Sequence, residues 1–117
     1  MNLAIWDIES SNANTDFGSI IEIGGILVDE NFKEKDRFKL RCRLPEGEIP
    51  QCMALIVNRT SVDMLTKANL SHYQMLTEVE KIFKKWSPAI FIGWSNVGFD
   101  DEMIRKEFFK GIRYPYI

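Results

Sequence analysis

The sequence predicts an α/β fold: a mixed sheet of three antiparallel strands and one parallel strand, flanked by helices. Three observations predict it. Short runs rich in apolar and β-branched residues come first, at 3–8, 19–29 and 36–44. One long stretch, 71–86, carries apolar residues three and four apart. A fourth apolar run at 89–93 then leads into a last helical stretch, 100–110. The order is β-β-β-α-β-α, without an internal repeat. Strands joined by short turns pair antiparallel, whereas a helical crossover returns its strand parallel to its neighbour.

Taken in order, residues 3–8 form a short buried strand that ends where Asp7, Glu9 and a polar loop of Ser10, Ser11, Asn12 and Asn14 begin. Asp29, Glu30 and Asn31 supply turn chemistry after the second strand. In the third, Phe38, Leu40 and Cys42 alternate with Lys39, Arg41 and Arg43, which predicts a half-buried strand with a wet basic face. Pro45 and Pro50 bracket a loop, 53–57 forms a helical turn, and Thr60 or Ser61 caps a short helix with Asp63 in its first turn. In the helix at 71–86, Tyr73, Leu76, Val79, Ile82, Phe83 and Trp86 share the apolar face, with Glu78, Glu80, Lys81, Lys84 and Lys85 in water. Pro88 ends it and a fully buried fourth strand follows. Gly24-Gly25 lacks the surroundings of a phosphate loop and is explained by close helix packing or a bulge.

With 117 residues, 45% hydrophobic and 27% charged, the chain has the size and balance of one ordered globular domain. No apolar run approaches the ~20 residues that span a bilayer, and the first residues are not those of a signal peptide. Cytoplasmic residence without a membrane partner is the expectation. Cys42 and Cys52 show neither zinc nor disulfide spacing and are expected to be reduced and inert. A net charge of −2 argues against a strong, nonspecific grip on a polyanion, although carboxylates that bind metal have their charge cancelled by it.

The chemistry lies in the acids. Asp7 and Glu9 are one residue apart on an extended chain, so both side chains leave the same side of the sheet. The fourth strand is expected beside the first, which brings Asp100 to the same carboxyl edge, where open α/β sheets build their sites. Hard cations such as Mg²⁺ or Mn²⁺ take oxygen ligands and need no cysteine or histidine. Two such ions roughly 4 Å apart suit in-line displacement at phosphorus. Asp-x-Glu alone is weak evidence, because carboxylates at strand ends are common and mostly solvated. Asp100 and Asp101 would equally serve as a helix cap and a first-turn acid.

The segment GWSNVGFDDEMIRKEFF, residues 93–109, changes that balance. Its Gly, Asn and Phe-Asp pair after a buried strand resembles the second motif of the DEDD superfamily of 3′-to-5′ exonucleases, and its full length is most similar to the exonuclease I family. IWDIE resembles the first motif, IIEIGGILVD the second strand, and NRTSVDML the family's Thr-Gly-Ile-Thr-Pro segment. The resemblance covers essentially the whole chain. It implies a ribonuclease H-like domain degrading single-stranded DNA from its 3′ end. Asp7 would bridge two metals, Glu9 would bind the nucleophile-side metal, and Asp100 would hold the second through water, while Asn96 would position the loop near the substrate. Ser10, Ser11 and Asn12 stand where the family has the Thr and Gly that touch the terminal nucleotide.

For substrate, Ser10, Asn96, the rings of Trp94 and Phe99, and the cations Arg59 and Lys106 are the candidates, with Trp6 assigned to the core. Arg105 and Arg113 are further cations whose simplest reading is a solvated helix end. The superfamily's third motif, a His followed five residues later by an Asp, is absent after Asp100, and the single histidine, His72, reads as an exposed or capping residue. Residues 1–117 are therefore expected to be the N-terminal part of one exonuclease domain, truncated or split. Its missing elements would leave apolar sheet surface for a homodimer partner or a missing C-terminal segment to cover. Two alternatives stay open: a noncatalytic nucleic-acid-binding or protein-interaction module derived from an exonuclease, and an exonuclease that trims RNA.

Overall fold

The structure is a computed structural model describing residues 1–12, 14, 18–45, 47–93 and the helix backbone of 97–110, with side chains described there for 102–109. Four strands, β1 (Asn2–Ser10), β2 (Ile20–Val28), β3 (Glu34–Arg41) and β4 (Ala89–Gly93), form one sheet in the order β3-β2-β1-β4. β1 and β3 each pair antiparallel with β2, and β4 pairs parallel with β1. The helices are α1 (Cys52–Asn58), α2 (Val62–Thr66), α3 (His72–Trp86) and α4 (Val97–Lys110). This is the mixed sheet with flanking helices that the sequence predicts. Among the described residues, no helix is long and apolar enough to cross a membrane.

Alternation along each strand sends side chains to two different environments. Trp6, Ile8, Ile20 and Ile23 pack under Met75, Leu76, Val79 and Phe83 of α3 and under Met103, Ile104 and Phe108 of α4. Aromatic edges lock this layer: Trp6 meets Phe83 at 5.9 Å and Phe38 meets Trp86 at 5.3 Å between ring centroids. Trp6 is thus a core residue, as expected. Gly25 lies opposite Trp6 on this face, and a Cβ there would come within 2.8 Å of the Phe38 ring and 3.3 Å of Trp86. Close helix packing, not a bulge, explains that glycine.

The turn after β2 forms as its residues dictate, with Asp29 Oδ1 accepting from the backbone N–H groups of Asn31 and Lys33. Ser61 caps α2 by accepting from the Met64 N–H, and Ser71 closes a capping box with Gln74 at the start of α3. Cys42 and Cys52 are both free thiols, and burial pushes the Cys42 thiol up to about 12.

Several expectations need correction. β1 continues to Ser10, and Ser11 beyond it is 1% exposed, so burial does not stop at the carboxylates. The reason is a polar lock: the Ser11 and Ser19 hydroxyls both donate to the carboxylate of Glu48, which satisfies the buried polar atoms without water. β3 ends at Arg41, after which Cys42 bridges to Leu70 instead. β4 is not buried on both faces, since Ile90 is 51% and Ile92 42% exposed. Tyr73 leaves the apolar face of α3 and is exposed. His72 is neither exposed nor the cap, because its Nε2 lies 2.8 Å from Oε2 of buried Glu107 on α4. α4 starts at Val97, three residues early, so Asp100 and Asp101 lie inside the helix and neither is its N-cap.

Candidate metal and nucleic-acid site

The second face of the sheet carries no helix of the core layer. On β1, Ile5, Asp7 and Glu9 alternate with the buried Trp6 and Ile8 and line an open concavity of about 850 Å³. The pairing register extends each residue into a row across three strands: Ile5, Ile26 and Arg37; Asp7, Gly24 and Lys39; Glu9, Glu22 and Arg41. All nine line the concavity, joined by Asn58 from the end of α1. Asp7 and Glu9 therefore share one side of β1, as their spacing requires.

Local irregularity sits beside them. The β1–β2 register shifts between Glu9 and Ser10, a bulge-like step of the kind that re-aims side chains at strand ends. Asn58 Nδ2 fixes that end of the strand by donating to the Ser10 carbonyl at 2.8 Å. Glu22, directly across from Glu9, accepts from Arg41 at 2.9 Å and pairs with Lys39 at 3.1 Å. Burial alone would raise its carboxyl pKa, but the hydrogen bonds from Arg41 and Lys39 outweigh it and hold Glu22 below the usual range.

Other candidates fall differently. Ser10 points to the core side, 8% exposed, with its hydroxyl donating to the Asn12 carbonyl, so it does not share the face of Asp7 and Glu9. Arg59 is exposed at the C-cap of α1 with φ 54°, and its neighbour Asn58 is the one that reaches the concavity. Lys106 pairs with Glu102 at 3.0 Å on α4, the helix packed against the opposite face. Trp94, Asn96, Arg113 and the side chains of Phe99 and Asp100 lie outside the described residues. The backbone nevertheless fixes one relation: β4 ends with Gly93 beside Trp6, one residue before Asp7, and α4 begins at Val97. Among the described residues, no group of three or more His, Cys, Asp or Glu is placed to hold a metal ion.

Sequence reasoning did not single out Glu22 or Asn58, nor place Arg37, Lys39 and Arg41 beside the acids. A lone carboxylate inside the otherwise apolar β2 was the available signal for Glu22.

Comparison with known proteins agrees with this architecture. No protein-family model matches the chain. Exodeoxyribonuclease I of Buchnera aphidicola subsp. Schizaphis graminum is 22% identical over 117 residues, covering 99% of this chain and 24% of that protein. A moderately thermophilic exonuclease I from Methylocaldum szegediense superposes with a TM-score of 0.88 at 20% identity, over 98% of this chain and 25% of that one. The zinc-ion-bound form of an E. coli exonuclease I complex with single-stranded DNA gives 0.89 at 19% identity, again over 98% and 25%. The chain thus spans about a quarter of the length of these proteins; over that quarter it is similar in sequence to exodeoxyribonuclease I and has the fold of exonuclease I.

Proposed function

We propose that the chain supplies the metal-seating part of a 3′-to-5′ exonuclease domain that hydrolyses single-stranded DNA, with residues 1–117 forming the first portion of that domain. The observation that carries this reading is the placement of Asp7 and Glu9 on one side of β1, the side that the described core helices leave open, where both line a concavity of about 850 Å³. Similarity to exodeoxyribonuclease I supports the substrate class.

The donor set fits Mg²⁺ or Mn²⁺: both groups are carboxylates, and neither cysteine nor histidine lines the concavity with them. When bound there, such an ion supplies Lewis-acid polarisation of a phosphoryl group and an activated water. The protein's own contribution is to hold two negative charges on a rigid strand, with the Asn58 bond to the Ser10 carbonyl fixing where that strand ends. Asp100, in α4, is proposed as the third ligand on the strength of the Phe-Asp motif it belongs to. Trp94, Asn96 and Phe99 are proposed to hold the terminal nucleotide, on the strength of their motif.

The test combines calorimetric titration of Mn²⁺ with release of the terminal nucleotide from a 3′-labelled single strand, comparing the wild type with Asp7→Ala. Losing a ligand is expected to weaken Mn²⁺ binding by at least roughly tenfold and to remove whatever nucleotide release the wild type shows. Equal Mn²⁺ affinity in both proteins would overturn the metal seat. Mn²⁺ binding that Asp7→Ala weakens upholds the seat even where residues 1–117 alone release no nucleotide, since they carry no His-to-Asp third motif.

A further inference from the structure

We propose that Arg37, Lys39 and Arg41 of β3 form an anion track that carries the phosphodiester backbone of a single strand away from the Asp7–Glu9 seat. The inference rests on the functional reading above and adds to it a surface that the motifs do not mark.

The register supplies the geometry. Each cation ends one of the three rows that cross the open face, so the strip lies two strands away from the acids, at about 10 Å given the ~4.8 Å spacing between strands. The middle row is Asp7, Gly24, Lys39, and the glycine leaves the floor between acid and cation without a side chain. A polynucleotide strand can lie across that gap with one phosphate toward Asp7 and Glu9 and the next ones toward β3. Alternate residues on a strand repeat every ~6.8 Å, comparable with successive phosphates of an extended polynucleotide. All three cations line the same concavity as the two acids.

Edge strands are commonly studded with Lys and Arg merely to prevent aggregation. Here the alternation fixes a direction: Phe38 and Leu40 pack against the core, and the three cations are turned into the concavity. They are also accessible, with the side chains of Arg37, Lys39 and Arg41 being 67%, 76% and 34% exposed. Their present partners are Glu34 for Arg37 and Glu22 for the other two. The Arg37 pair is solvent-exposed and weak, and a polyanion that brings several phosphates at once displaces such partners. Three acids, Asp7, Glu9 and Glu22, and three cations line the concavity, and the cations lie together along β3.

The experiment measures anisotropy of a labelled oligothymidylate against salt in an Asp7→Ala background, which removes hydrolysis and keeps the track. Adding Arg37→Ala and Lys39→Ala is expected to lower the slope of log K against log salt by roughly 1.4, about 0.7 for each single-strand phosphate that is no longer neutralised. Adding Arg37→Lys instead keeps the charge and is expected to keep the slope. An unchanged slope after removal of both cations, or no binding by the Asp7→Ala protein at low salt, would overturn the track. Competition by polyglutamate as strong as that by unlabelled oligothymidylate would assign an acidic protein partner and overturn it as well. The outcomes separate from those of the metal seat. A falling slope with unchanged Mn²⁺ affinity in Asp7→Ala upholds the track and removes the seat; an unchanged slope with weakened Mn²⁺ binding does the reverse.

Discussion

On β1, Ala4, Trp6 and Ile8 turn toward α3 and α4, while Ile5, Asp7 and Glu9 turn the other way. The same division runs through β2, where Ile23, Gly25 and Leu27 face the helices and Glu22, Gly24 and Ile26 face the concavity, and through β3, where Phe38 opposes Lys39. One face is close-packed and apolar. The other holds acids, cations and glycine, with exposed Ile90 and Ile92 on the edge strand β4. Because a strand alternates with period two, the residues that stabilise this fold and those proposed to do its chemistry are neighbours in sequence and strangers in environment. Substitutions one residue apart should therefore separate cleanly into effects on stability and effects on ligands.

The largest expected contrast pits Phe83→Ala against Ile92→Ser. Phe83 is 6% exposed and meets the rings of Trp6, Phe38 and Phe91. Its removal leaves a cavity and is expected to cost about 3–5 kcal/mol. Ile92 lies on the open face, and its change is expected to stay within about 1 kcal/mol. Urea unfolding of both variants checks the pair, and similar destabilisation would mean that the open face is as tightly packed as the covered one.

A finer contrast uses the adjacent glycines. At Gly25 an added methyl meets the Phe38 ring at 2.8 Å, the Ile5 carbonyl at 3.2 Å and Trp86 at 3.3 Å. Gly25→Ala is expected to destabilise by roughly 1–3 kcal/mol through overpacking. At Gly24 the nearest atom is the Phe38 carbonyl oxygen at 3.4 Å, ordinary contact, so Gly24→Ala is expected to lie within about 0.5 kcal/mol of wild type. Equal thermal shifts in the two variants would break the comparison.

How much of this was legible in the sequence follows from the same alternation. Strand order, the parallel β4 and the shared side of Asp7 and Glu9 all follow from local periodicity and crossover rules, and they hold. The basic face of β3 was legible too, from Lys39 and Arg41 alternating with Phe38 and Leu40. What that alternation lacked was its partner: nothing local states that Lys39 ends the row of Asp7, because register depends on pairing between distant segments. The same limit hid the Ser11–Ser19–Glu48 lock, whose members lie 8 to 37 residues apart and turn a polar run from loop into buried structure. Ser10 reads as the start of a loop because the apolar run ends at Ile8, whereas β1 continues two residues further and includes it. His72 was read from its helix alone, without Glu107 arriving from α4.

The smallest expected effect concerns a hydrogen bond that ties the covered face to its rim. Trp86, 3% exposed, donates from its indole Nε1 to Asp36 Oδ2 at 3.0 Å, linking α3 to β3. That indole donor, then the Arg37 backbone N–H, hold the Asp36 carboxyl below its ordinary value of 3.8, with Lys85 Nζ at 3.6 Å adding to them. A carboxyl whose pKa is lower in the folded state than in the unfolded one binds its proton more readily when unfolded. Its stabilising contribution is complete above the unfolded value and disappears as pH falls through the folded one. Thermal midpoints of wild type and Asp36→Asn, followed from about pH 5 down to pH 2, are therefore expected to start apart, with the wild type higher, and to converge toward the acid end. A constant gap across that range would show that the residue acts through packing and not through its charge. The open face offers an internal control, because Ile92→Ser removes no titrating group and should leave the wild-type acid dependence in place.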